Sequence, residues 1–445
     1  MTLSVVSPLE QVNSDAAPVS AVERRKTTLQ QLLSLGQSAT GAETLQTQAR
    51  DRLADLAIPS TKLEAWRFTD LTLLLDRSFV AAPATAEADF VEPLLLADVP
   101  LRAVFMDGQF QPALSSTEWP EGLSLTVGFD AAIAQNLLAD DLFATLNTAG
   151  FSQAAVIRVA AGAAIAQPLH LLWISSSTSD TAFSQPRALI ELGANSALTV
   201  IEDFAPLGND CTADYFVNAV TEIQLGANAQ LQHSRVQRDG DRAVHIGTTA
   251  VQQERDSRYH GITISTGAQL SRHNYLAAQN GSQAETILDG LSLADGDRLV
   301  DTHSGIFFNQ PHGRSQQLHK CIASDRGRAV FSGRVVVPQI AQQTDAAQLS
   351  RNLLLSSRAR IDAKPQLEIV ADDVKCSHGA TVSQLSEDEI FYLQSRGLDQ
   401  AAATHLLIEA FAGEILQKLP SAQLREALSR CVSCRAERPE SSSAS

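Results

Sequence analysis

From about Val156 onward the sequence keeps returning to one short unit, and a unit of that kind cannot fold alone. "IELGANSALTVIE", "IQLGANAQLQHSR", "ISTGAQLSRHNYL" and "LSLADGDRLVDTH" each place two apolar residues at alternate positions, then a Gly-containing turn, then a second strand-like run. Alternation of this kind predicts strands with one face turned to a core. The corresponding glycines Gly193, Gly226, Gly267, Gly296 and Gly327 stand 33, 41, 29 and 31 residues apart, so the repeat is real but irregular. Strand–turn–strand units with no helix between them must stack on their neighbours to bury that face. A β-sandwich or barrel does this, and so does a parallel β-helix. Aromatic residues make up only 5% of the chain, while Ala and small aliphatics are abundant. That favours the narrow, ladder-like core of a β-helix.

The two ends read differently. Residues 22–57 show helical spacing, with Leu29, Leu32 and Leu33 in one run and Leu53 and Leu56 before Pro59. After Leu385, Ser386 and Glu389 have the spacing of a capping box, and Gly397 stands where a helix C-cap belongs. Asp399 can cap the next run, in which Ala403, Leu407, Phe411 and Ile415 follow at four-residue steps until Pro420. Ser421 opens a last short helix, and the polar tail "RAERPESSSAS" is predicted to be disordered. The expected organisation is thus a mainly β chain in three parts: a helical N-terminal region over 1–150, a β core over 151–385 and a C-terminal helical region over 386–445. A two-helix segment cannot bury both faces against one β core, so an apolar stripe is expected to await a partner around Phe391, Tyr392 and Phe411, with Arg396 able to pair with an acidic residue.

Charge and motif absences exclude several functions. A formal net charge of −16 over 445 residues argues against nucleic acid or an anionic membrane as partner. The longest apolar runs, such as "HLLWI", are too short to span a bilayer, and the N-terminus lacks the pattern of a secretory signal. Five scattered cysteines build no disulfide framework, which points to a reducing, cytoplasmic setting. No G-x-x-x-x-G-K-[ST] occurs, so the chain is expected to bind no nucleotide; G-x-G, G-x-S-x-G and H-E-x-x-H are missing as well.

One stretch does carry chemistry. In "ADDVKCSHGATVSQL" (371–385) Cys376 and His378 are two residues apart, so an extended chain projects both from one face and turns Ser377 away. A thiol with an imidazole suits iron. Two ligands are too few for a cluster, which usually takes four, so the others would come from another chain. The residues alone leave a second reading open, a buried Cys beside an exposed His at a strand end. The other candidates read as structural: Cys431 and Cys434 as a spare thiol pair, Cys211 and Cys321 as small apolar residues, and His303, His312, His319 and His405 as polar positions without metal spacing.

Longer blocks tie these features together. "TDAAQLSRNLLLS" (344–356), "DAKPQLEIVADDVKCSHGATVSQL" (362–385) and "IFYLQSRGL" (390–398) closely resemble the signature of the SufB/SufD family of iron–sulfur cluster assembly proteins. "LEAWRFTDL" (63–71) and the C-S-H-G wording are similar to the SufD branch, whereas SufB members carry an acidic-His-acidic run there. Ser350 is a small departure, at a position where Asn is common in the family.

The resemblance implies a right-handed parallel β-helix core between helical ends. It implies a SufB–SufC–SufD complex in which this chain is no enzyme and pairs with SufB through its core. The SufC ATPase would dock on the C-terminal helices. A transient iron–sulfur cluster would form at the SufB–SufD interface, where a SufB cysteine faces His378 and Cys376 is the neighbouring cysteine of the motif. A homodimer in isolation stays open. So do a purely structural role stabilising SufB and, from another class, a β-helical enzyme acting on carbohydrate. The enzyme is disfavoured because the adjacent Asp372 and Asp373 would point to opposite faces.

Overall fold

The alternating runs do become strands, and each hydrogen-bonds to the strand one circuit away rather than to its sequence neighbour. The computed structural model describes residues 20–82, 90–135, 141–176, 181–208 and 214–436. Tyr215–Leu225, Val244–Gln253, Leu270–Gln279, Leu299–Phe308, Arg328–Val337 and Arg360–Ile369 pair successively in parallel. The strands between them, Gln230–Gln237, Arg258–Ser265, Glu285–Ala294, Arg314–Ala323, Asp345–Leu354 and Lys375–Ser383, build a second parallel stack. The chain therefore winds between two sheets as a parallel β-solenoid of about seven turns.

This winding explains the irregular glycine spacing. Gly193 and Gly226 lie in turns from the first sheet to the second, whereas Gly267, Gly296 and Gly327 lie in turns from the second to the first. The 41-residue step therefore spans one and a half circuits, while the others span one. Successive turns stack closely, and a Cβ on Gly327 would fall 2.2 Å from the Ala294 carbonyl oxygen. Gly296 adopts φ +61°, the left-handed region that glycine tolerates at low cost.

The solenoid interior is mostly aliphatic, with Leu198, Val200, Ile223, Val251, Leu288, Ile306 and Val335 buried in one cluster. It is less plain than the expected small-residue ladder. Glu202 sits inside it, accepting from Trp173 Nε1 at 3.2 Å and Thr221 Oγ1 at 2.6 Å, and bonded to His233 Nε2 at 3.0 Å. Buried charge of this kind is tolerated only when its lone pairs are met, as they are here.

Helices cover the two outer faces. Ala21–Leu35, Glu43–Leu53, Thr72–Leu75 and Leu142–Gly150 place Leu29, Leu32, Phe143 and Leu146 against Phe216, Val244 and Ile246 of the first sheet. The expected N-terminal helical region is, however, mixed. Arg102–Met106 pairs in parallel with Leu169–Ser175, and Leu123–Gly128 pairs antiparallel with Ala154–Val159. These strands extend the sheets past their first circuits, a demand that helical periodicity in the neighbouring sequence does not reveal.

At the other end, Glu387–Ser395, Gln400–Leu416 and Ala422–Ala436 form the C-terminal unit. Its expected caps are present. Ser386 Oγ accepts from Glu389 N at 3.3 Å, Asp399 Oδ1 from Ala402 N at 2.8 Å, Ser421 Oγ from Leu424 N at 3.0 Å, and Gly397 has φ +98°. Ile408, Ile415, Leu424 and Leu428 bury against Ile201, Val236, Ile264 and Leu291 on the outer face of the second sheet. The unit thus flanks the solenoid and does not plug its end. Cys211 and nearly all of the tail expected to be disordered lie outside the described residues, as does the side chain of Cys434.

Candidate functional site

Because the helices lie on the flanks, the last circuit has no strand above it among the described residues. Arg360–Ile369 and Lys375–Ser383 are the terminal strands of their sheets. Every residue of both is at least partly exposed, including Ile369 at 40% and Val382 at 51%. A sheet edge with free N–H and C=O groups and apolar side chains is a template for another chain.

Cys376 and His378 stand on that edge. Lys375–Ser383 lies in register on Asp345–Leu354, with Cys376 over Ala346, Ser377 over Ala347 and His378 over Gln348. Ala346 and Gln348 are buried and Ala347 is exposed, so Cys376 and His378 share the inward face and Ser377 turns out, as alternation predicts. Cys376 is half-buried against the interior apolar cluster, and His378 is exposed at the open end. Burial pushes the Cys376 thiol up, opposed by a hydrogen bond from the Ala346 backbone and reinforced by Asp345. It is therefore a protonated thiol until a metal or base takes the proton. Among the described residues no three His, Cys, Asp or Glu side chains converge as a metal-binding group.

The C-terminal candidates separate into two sets. Phe391 is 72% exposed and Tyr392 56%, and the Arg396 guanidinium lies 5.3 Å from the Tyr392 ring centroid. Beside them, Tyr392, Leu393, Leu406, Leu407 and Ala410 line an apolar groove of about 420 Å³ rimmed by Asp388 and Glu389. Phe411 is elsewhere. Its ring lies 4.3 Å from Lys320 Nζ, which also donates to the Phe411 carbonyl at 2.8 Å. Lys320 is buried and pairs with Glu414, so Phe411 belongs to the joint between helix and solenoid.

Two of the other sequence candidates, Cys321 and His319, are structural. Cys321 is fully buried, and burial together with Asp301 pushes its thiol up to about 12. His319 is buried, stacked on Phe331 at 4.5 Å and bonded to Ser292 Oγ at 3.1 Å; burial lowers it to about 3. A cluster the sequence did not expose surrounds His303. Arg272 donates to Asp301 at 2.7 Å and stacks 3.9 Å from the Trp66 ring, Thr69 bonds the same carboxylate, and His303 lies 3.1 Å from it. Burial alone would raise Asp301, but Arg272, His303 and Thr69 outweigh it and hold it at about 2. Trp66 and Thr69 come from "LEAWRFTDL", whose partners are more than two hundred positions away, so no local pattern could join them.

Residues 174–411 match the family model described as SUF system FeS cluster assembly, SufBD core domain. The chain is 43% identical over 405 residues to an iron–sulfur cluster assembly SufBD family protein of Synechocystis sp., covering 87% of this chain and 89% of that one. It is 36% identical to the chloroplastic protein ABCI7 of Arabidopsis thaliana, over 83% of this chain and 80% of the relative. It is 33% identical to the iron–sulfur cluster assembly protein SufD of Escherichia coli, over 85% and 90%. With a β-solenoid carrying the C-S-H-G motif on its open circuit, the chain belongs to the SufB/SufD family of SUF-system iron–sulfur cluster assembly proteins.

Proposed function

We propose that this chain is the SufD-type subunit of a cytoplasmic SufB–SufC–SufD scaffold, with no reaction of its own. On this reading SufB pairs with the open circuit, and His378 faces a SufB cysteine across the joint. A nascent cluster, the cargo of the system, is held there by ligands from both chains. The observation that carries the proposal is the uncovered last circuit with Cys376 and His378 on its inward face. A strand edge gives a partner its backbone hydrogen bonds, and the exposed apolar side chains give it area to bury. Two donors from one chain are half a usual cluster set, which suits a scaffold that must later release its cargo. His378, a neutral imidazole when it ligates, can hold iron; Cys376, once deprotonated, can ligate iron or attack the outer sulfur of a donor persulfide, taking that sulfur while the donor cysteine leaves as a thiolate.

SufC would dock on the C-terminal helices, over the groove beside Phe391, Tyr392 and Arg396. Phe411 would serve that surface from behind by fixing the helix to the solenoid.

The test is iron and acid-labile sulfide in the complex purified after co-expression, with assembly followed by gel filtration. His378→Ala should leave the complex intact and abolish cluster build-up, and Cys376→Ala should act more mildly. Normal cluster content in the His378→Ala complex would reduce the chain to a structural subunit.

A further inference from the structure

Directly under the open circuit the solenoid holds an amide oxygen that has no partner. Gln348 stands one strand below His378 in register and faces the interior with it. Its Nε2 donates to Gln317 Oε1 at 2.8 Å, and Gln317 Nε2 donates to Ser304 Oγ at 2.8 Å. The amide has room because Gly333 faces it from the other sheet, where a Cβ would fall 2.0 Å from Gln348 Nε2. Gln348 is 3% exposed, yet its Oε1 makes no hydrogen bond. An orphaned buried acceptor is destabilising and calls for a reason.

The amide is planar, so with Nε2 committed to the strand below, Oε1 is turned away from Gln317. The residue above it in the column is His378. A histidine that ligates a metal through one ring nitrogen almost always donates its other N–H to an acceptor, which fixes both tautomer and ring orientation. We propose that Gln348 is the positioning residue for His378: the exposed ring turns down onto the free Oε1, which accepts one imidazole N–H, so that the other ring nitrogen presents its lone pair to the docking face. The Ser304–Gln317 chain holds the amide in that attitude, and Gly333 supplies the space.

The inference rests on His378 being a ligand, and two measurements separate the two ideas. The first is the tautomer of His378 in the isolated full chain, read by NMR of ¹⁵N-histidine and assigned through the signal missing in His378→Ala. One tautomer is expected in the natural chain and a mixture in Gln348→Met, which keeps the length and removes the acceptor. Gly333→Ala should produce the same mixture by displacing the amide, and it serves if Gln348→Met folds poorly. The second is cluster content of the co-expressed complex. It should fall about ten- to a hundred-fold in Gln348→Met. A single tautomer in both Gln348→Met and Gly333→Ala would overturn the inference, as would normal cluster content in Gln348→Met while His378→Ala has lost it. Normal content in His378→Ala would instead remove the ligand reading, and the tautomer result would still decide whether Gln348 holds the ring.

Discussion

His319 should make the solenoid acid-sensitive in a pH window of its own. The imidazole is 2% exposed, stacked on Phe331, and lowered by burial to about 3. In the unfolded chain a histidine titrates near 6.5. The folded value is thus the depressed one, and below about pH 6.5 the unfolded state takes up a proton that the folded state refuses. Stability is then lost at about 1.4 kcal/mol per pH unit until the folded value is reached. Between pH 7 and pH 5 this amounts to about 2 kcal/mol from His319 alone. Buried His273, lowered well below its usual range by burial and by Arg235, acts in the same direction.

Carboxylates act later. Asp203 and Asp301 are both held at about 2, so their contribution is present above about pH 4 and fades only as the pH falls toward 2. Urea unfolding followed by circular dichroism at pH 7 and pH 5 isolates the histidine window. His319→Gln, which cannot titrate, starts less stable but should lose about 2 kcal/mol less than the natural chain between the two pH values. Equal losses in the two proteins would refute the reasoning, because they would mean that His319 is protonated in the folded state as readily as in the unfolded one.

Replacing Arg272 by Met should cost about 3–5 kcal/mol in urea unfolding, because it leaves the buried Asp301 carboxylate without its cation and Trp66 without its stacking partner. Val382→Lys places a charge on the open circuit at a side chain 51% exposed. The melting temperature of the isolated chain should hold while co-elution with SufB is lost. Phe391→Ser together with Tyr392→Ser should abolish SufC capture in a pull-down with no change in thermal unfolding, since both rings are exposed. Deleting the whole helical unit is a poorer test of docking, because it would strip Ile201, Val236, Ile264 and Leu291 of their cover.

Local physics made much of this protein legible without its structure. Period-two alternation, turn residues and the lack of intervening helices demand strands that stack, and the C-terminal caps follow from Ser386, Asp399, Gly397 and Ser421 because capping acts within a single turn. The same alternation placed Cys376 and His378 on one face and Ser377 on the other. Tertiary structure alone decided what depends on distant residues. Which edge each turn glycine occupies, and so why one step is 41 residues long, follows from winding between two sheets. The strand Arg102–Met106 in a region read as helical is set by its need to pair with Leu169–Ser175. Phe411 faces Lys320 while Phe391 faces solvent, because the C-terminal unit lies along a sheet face and not over the last circuit. Arg272 meets Trp66, and Gln348 comes to lie beneath His378 opposite Gly333, only once the circuits are stacked. Side-chain periodicity reports which way a residue points within its own strand, whereas what it meets there is set by the next circuit, some thirty residues away in a repeat of this class.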